Sequence, residues 1–189
     1  GSDTQEGDSF GWSCAAGEGY VLVGALYHDG GLVNRGAVYV YDAASGAQVR
    51  KLVAPDATGG EQFGYAVAVE GDVALVGARY DDDLGSQAGS AYLFDLASGA
   101  LLHKLLASDG AASDHFGASV ALSGGLALVG APDDDDHGQQ SGAAYVFDVA
   151  TGQQVRKLVP EDGAELDLFG VSVALDGTTA LVGAYLDDD

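Results

Sequence analysis

The sequence predicts an all-β protein assembled from repeated four-stranded antiparallel sheets, and three observations carry that reading. Phe-Gly recurs at Phe10-Gly11, Phe63-Gly64, Phe116-Gly117 and Phe169-Gly170, 53 residues apart each time. Val-Gly-Ala follows each pair at residues 23–25, 76–78, 129–131 and 182–184; GAVYVYD, GSAYLFD and GAAYVFD come next, then QVRKL, LLHKL and QVRKL. Within a unit the hydrophobic alternation has period two, in β-branched and aromatic runs bounded by Gly, Asp and Ser, which is the pattern of strands. Self-similarity at a fixed period of this length means stacked repeats.

Taken in order, the second repeat reads as strands over 63–70, 73–78, 89–95 and 100–106. The tight turn Glu70-Gly71-Asp72 joins the first two, and Asp95 to Gly99 joins the last two, with Gly99 free to take the positive φ of a hairpin bulge. The first strand sets Phe63, Tyr65, Val67 and Val69 on one face and Gly64, Ala66 and Ala68 on the other. A bulky face and a small face let such sheets nest one on the next. VALVGA, apolar on both faces, suits a second strand held between neighbouring sheets, while His103 and Lys104 put polarity on an outer fourth strand. A meander of about 50 residues, apolar on both faces and repeated, is the blade of a β-propeller. Residues 1–189 therefore read as one domain. Its repeats are 10–62, 63–115 and 116–168, with 169–189 the first half of a fourth.

Composition limits what such a protein contacts. Hydrophobic residues make up 47% of the chain, which excludes a disordered reading despite 30 glycines. Twenty-nine Asp and Glu against seven Lys and Arg give a net charge of −22, which repels phosphate backbones and attracts cations. Nucleic acid is excluded as a partner on that ground. No apolar run approaches the roughly 18 to 20 residues of a membrane helix, so no membrane insertion is expected. The start GSDTQEGDS and the lack of methionine read as a processed end, an expression scar or an internal fragment.

The paired motifs, most clearly FGASVALSGGLALVGAP at residues 116–132, resemble the FG-GAP repeats of integrin α-like propellers. The likeness is greater to the bacterial and algal-type FG-GAP proteins with short first hairpins. That resemblance implies a propeller of about seven blades, hence a chain continuing with further repeats. It also implies a non-enzymatic scaffold for adhesion or protein–protein assembly. A carbohydrate-binding propeller, or an accessory domain of a larger enzyme, are the alternatives it leaves open. The calcium loop D-x-D-x-D-G of integrin-like blades is not here, since the first hairpins are only EGD, SGG and DGT.

Aspartates instead follow the second strand, at Asp81, Asp82 and Asp83, at Asp134, Asp135 and Asp136, and at Asp187, Asp188 and Asp189. In the first repeat the matching positions hold His28, Asp29 and Gly30. A meander places these loops at the same end as Asp56, Glu61, Asp109 and Asp114, so one face collects the charge. Crowded carboxylates invite a hard, oxygen-seeking cation, and calcium (Ca2+) is the expected cofactor of the nine aspartates. The competing reading is that acidic turns keep strand ends solvated and discourage edge pairing. A calcium requirement would place the protein outside the cell, in the periplasm or in an organelle lumen.

Other residues read as structural. Cys14 matches Val67, Val120 and Val173 and is expected to be a small core residue. Tyr39, Tyr92 and Tyr145 recur in register and read as packing. The four histidines do not recur and read as surface residues. Neither a phosphate-binding loop nor a nucleophile elbow occurs, and no enzymatic activity is expected.

Overall fold

The computed structural model describes residues 1–187 and contains no helix among them. Its strands are β1 (Phe10–Ala16), β2 (Tyr20–Ala25), β3 (Ala37–Asp42), β4 (Gln48–Leu52), β5 (Ala66–Glu70), β6 (Val73–Ala78), β7 (Ser90–Asp95), β8 (Leu101–Leu105), β9 (Ser119–Ser123), β10 (Leu126–Ala131), β11 (Ala143–Asp148), β12 (Gln154–Leu158), β13 (Ser172–Asp176) and β14 (Thr179–Gly183). They form three antiparallel meanders in sequence order, β1 to β4, β5 to β8 and β9 to β12, followed by the two-stranded β13–β14. These are the expected blades of a β-propeller. The first strands of successive sheets adjoin one another.

Each junction between blades is a core of its own. Leu22, Val38, Val40 and Leu52 of the first sheet meet Phe63, Ala74, Val76, Tyr92 and Phe94, with Val67 and Val69 packed alongside. On the other side of the second sheet, Leu75, Ala91, Leu93 and Leu105 meet Phe116, Val129, Tyr145 and Phe147, with Ala68 at the edge. The alternation read from the sequence therefore divides as expected: Val67 and Val69 face the preceding blade and Ala68 the following one.

The Phe-Gly pair departs from the expected strand. It does not open β5, which begins only at Ala66. Phe63 instead bridges in parallel to Gly36 of the preceding blade, a contact repeated by Phe116 with Gly89 and Phe169 with Gly142. Gln62 and Gly64 both take positive φ, breaking the extended run, and Phe63 N–H donates to Arg35 O at 3.0 Å. Phe63 is fully buried and meets the rings of Tyr92 and Phe94 edge-on at 5.4 and 5.9 Å. Only glycine fits opposite it. A Cβ on Gly36 would lie 2.1 Å from Phe63 O, and Gly36 holds φ at +83°. So the signature dipeptide of the second, third and fourth repeats stitches each blade to the one before, whereas Phe10 opens β1 and pairs with Ala25.

The outer hairpins carry a recurring bulge, between Val40 and Tyr41, Leu93 and Phe94, and Val146 and Phe147. Asp42, Asp95 and Asp148 close those turns by accepting from the backbone N–H of Ser45, Ser98 and Thr151. Arg50 then reaches the next blade's outer hairpin at Leu96 O, 2.6 Å away, and His103 reaches Ala150 O in the same way.

Cys14 is a correction. It is exposed, not buried, because no sheet covers that side of β1 among the described residues, whereas Val67 and Val120 press against a preceding blade.

Candidate functional site

The acidic loops close on lysines. In the second blade Lys104 Nζ donates to Asp56 Oδ2 at 2.8 Å, Asp81 Oδ2 at 2.9 Å and Asp83 Oδ2 at 2.7 Å. Tyr92 Oη lies 3.0 Å from Asp56 Oδ1 and 2.9 Å from Asp81 Oδ2, giving its single proton to one of them at a time. The third blade repeats the arrangement residue for residue. Lys157 Nζ meets Asp109, Asp134 and Asp136 at 2.9, 2.8 and 2.6 Å, and Tyr145 Oη meets Asp109 and Asp134 at 3.0 and 2.7 Å. Each ammonium also sits over its tyrosine ring, 5.1 and 5.2 Å from the centroid.

Local structure explains why these groups converge. Asp56 lies in the segment from β4 to β5, Asp81 and Asp83 in the loop after β6, Tyr92 on β7 and Lys104 on β8. One side chain therefore ties four chain segments. The ammonium has three N–H donors, and it meets three carboxylates. Asp81 is also bound from within its loop, where its Oδ1 accepts from Asp83 N–H at 3.0 Å. Asp82 points elsewhere and accepts from Gln87 N–H at 2.7 Å.

Burial differs across the set and decides how the charge is carried. Asp81 and Asp134 are buried, while the side chains of Asp56 and Asp83 stand 43% and 53% exposed. One ammonium against three carboxylates leaves the cluster negative, and water at the two exposed groups carries the remainder. Burial pulls Lys104 toward its neutral form, but the bonds to Asp56, Asp83 and Asp81 outweigh it and hold the amine above its usual pKa. Burial likewise pushes Asp56 up, and the bonds from Lys104 and Tyr92 bring it below the usual carboxylate range. Burial, above all, drives the Tyr92 phenol upward.

The first blade builds the same site from different parts. Asp3 stands where Asp56 and Asp109 stand, accepting from Tyr39 Oη at 2.6 Å and from Lys51 Nζ at 2.7 Å. His28 stands where Asp81 and Asp134 stand, its Nε2 2.5 Å from Lys51 Nζ and its Nδ1 2.9 Å from Asp8 Oδ2. That pattern requires a neutral imidazole with the proton on Nδ1, donating to Asp8 and accepting from the ammonium. The bond to Lys51 holds the Asp3 carboxyl at about 2. His28 is buried, which corrects its expected surface placement.

A second acid recurs every 53 residues. Asp8, Glu61, Asp114 and Asp167 are all buried, and each accepts from the backbone N–H three residues earlier, at Gln5, Thr58, Ala111 and Ala164. Glu61 Oε2 has no partner. Burial raises the Glu61 carboxyl above its ordinary value. The Asp114 carboxyl is pushed up to about 6, first by burial and then by the charges of Asp134 and Asp135, against the Ala111 bond.

Calcium was the cofactor expected of these aspartates, and the donors do not fit it as they stand. Calcium takes six to eight oxygens at about 2.3–2.6 Å. Here the gap between Asp81 and Asp83, and that between Asp134 and Asp136, is filled by Nζ. Among the described residues no group of three or more His, Cys, Asp or Glu side chains is placed to hold a metal. Of the third run, Asp187 engages neighbours, and Asp188 and Asp189 lie outside the described residues. Sequence reasoning gives Lys104 only outer-strand polarity and misses the part that it, Lys51 and Lys157 play in the clusters. Their signal was available: Lys51, Lys104 and Lys157 occupy one repeat position in a chain with seven Lys and Arg in total.

The nested four-stranded blades and their recurring junction clusters define a repeat protein of the propeller-blade class. Sequence comparison makes this specific. The family described as FG-GAP repeat matches residues 1–41, 47–94, 101–147 and 153–189, and the chain belongs to that family. No relative is found among curated proteins. A solved structure, titled as the computationally designed Ika8 protein, is similar with a TM-score of 0.60 at 19% identity, over 93% of this chain and 42% of that one. At that identity the likeness is one of fold, and the chain spans about two fifths of the designed protein's length.

Proposed function

We propose that the chain is a non-enzymatic scaffold that presents blade surfaces to a protein partner. The observation that carries this reading is that its recurring polar residues are used internally. The lysines, tyrosines and inward aspartates of each blade hold that blade to its neighbour's linker, so the chemistry-bearing groups are structural. His115 does bind Asp133, at 2.6 Å, but its other nitrogen meets Gln87 Oε1 at 3.3 Å and no hydroxyl. A cavity of about 300 Å³ on the fourth sheet is lined by Ser172, Val173, Ala174, Leu181, Val182 and Gly183, with no titratable group. A sugar site at the register tyrosines is disfavoured, since Tyr39, Tyr92 and Tyr145 are fully buried.

Capture by the immobilised chain, competed by soluble chain and indifferent to chelator, tests the scaffold reading. A stoichiometric protein partner supports it. Turnover of a small substrate by the chain alone, or saturable binding on a glycan array with no protein captured, overturns it.

A further inference from the structure

Away from the lysine clusters, a ladder of rings and one guanidinium crosses the first three blades. Trp12 on β1 stands 5.6 Å from Tyr65, centroid to centroid. The guanidinium carbon of Arg79 lies 3.9 Å from the Tyr65 ring centroid and 4.5 Å from that of Tyr80. Tyr80 in turn stands 5.2 Å from His115. Arg79 is fixed in place, donating from Nε to Gln62 Oε1 at 3.1 Å and from Nη2 to Tyr80 Oη at 3.0 Å.

The fold does not require this ladder. One repeat later, the positions of Tyr65, Arg79, Tyr80 and His115 hold Ala118, Pro132, Asp133 and Leu168, and the third blade forms the same four strands without them. Trp12 is 53% exposed, so much of its ring faces water. Tyr65, Arg79, Tyr80 and His115 are half-buried, and an exposed tryptophan at the head of such an ordered stack, where packing does not demand it, marks a contact surface.

We infer that the ladder docks an arginine-bearing segment of a partner protein, an inference that rests on the scaffold reading. Arg79 shows within the chain itself that these rings hold a planar guanidinium, and Trp12 offers a further ring face. Charge selects the same partner. Tyr80 runs directly into Asp81, Asp82 and Asp83, His115 follows Asp114 and is bound by Asp133, and the chain carries −22 overall. A polyanion is repelled there, and a neutral ligand gains nothing from the field. Arginine is favoured over lysine because its flat, weakly hydrated cation stacks on rings, whereas an ammonium stays strongly hydrated.

Trp12 is the sole tryptophan, so its emission reports on the ladder alone. The probes are nona-arginine, nona-lysine of equal charge and neutral cellohexaose, at physiological salt. Nona-arginine should change Trp12 emission saturably and bind about fivefold or more tightly than nona-lysine, the scale of one added cation–π stack. In calorimetry, Trp12→Ala should abolish that preference with the melting temperature unchanged, since the side chain is largely exposed. Equal binding of the two peptides, or none, overturns the inference. So does an emission change with cellohexaose alone, or one that tracks protein concentration without peptide, which would assign the surface to a glycan or to a second copy. A captured partner indifferent to Trp12→Ala would leave the scaffold reading standing and remove this site.

Discussion

Lys104 Nζ bonds Asp81 Oδ2 at 2.9 Å across 23 positions of sequence, and one repeat later Lys157 bonds Asp134 at 2.8 Å across the same interval. In both blades the carboxylate is buried and the tyrosine of the intervening strand leans on it. Removing the cation strands a buried charge. Lys104→Met should therefore lower stability by about 3–5 kcal/mol, the usual cost of breaking one side of a buried pair. Chemical denaturation monitored by circular dichroism reads this directly. A loss below about 1 kcal/mol would reduce the cluster to surface decoration.

The first blade should depend less on its lysine. Lys51 faces Asp3, whose side chain is 53% exposed, and the neutral ring of His28 in place of a buried carboxylate. Lys51→Met should cost clearly less than Lys104→Met under the same conditions. His28→Asp would restore the pattern of the other blades and should widen the effect of Lys51→Met. Paired denaturation curves for the single and double variants give the coupling.

Stability should fall as pH rises from about 4 to 6. Asp114 has its folded pKa raised to about 6, so across that window the folded state holds a proton that the unfolded state has released. The stability linked to this group is complete below the unfolded value near 4 and is lost as pH climbs through the folded one. Two pKa units correspond to about 3 kcal/mol at most. Asp114→Asn keeps the acceptor for Ala111 N–H and should flatten the slope, making the variant the more stable form at pH 8. Asp56 and Asp109, whose values are lowered, act oppositely and only below about pH 4.

Gly89→Ala should open the junction between the second and third blades. Its φ is +87° and a Cβ would meet Phe116 O at 2.1 Å, a contact with backbone that no rotamer relieves. Phe116→Ala empties the same junction and should cost about 3–5 kcal/mol. Hydrogen exchange at β9 and β10 should rise in both variants, while β2 and β3 keep their protection.

The repeat, the four-strand meander and the two-faced packing were legible because they follow from period-two alternation repeated every 53 residues. Val67, Val69 and Ala68 went where their pattern put them. The Phe-Gly pair did not, because an alternating run cannot show that Gln62 and Gly64 turn the backbone to positive φ and send Phe63 to the previous sheet. The acidic face was legible as charge but not as geometry. Sequence set Asp81, Asp82 and Asp83 side by side; only the fold shows that the first and third turn to Lys104 while the middle one caps Gln87 N–H. His28 sits at the aspartate position of its repeat yet reads as a surface residue, since a histidine replacing an aspartate hides the site that its two bonds preserve.

Lysine rather than a metal ion closes the acidic clusters of the second and third blades. Thermal melts of the native chain and of Lys104→Met with Lys157→Met, each in calcium and in chelator at low ionic strength, decide between the two. Coincident curves are expected for the native chain, and a calcium-raised melting temperature for the double variant alone, where three carboxylates per cluster have lost their cation. A calcium-raised melting temperature in the native chain, of the size expected for ions held well above their dissociation constants, about 2.7 kcal/mol per site at a hundredfold excess, would contradict it.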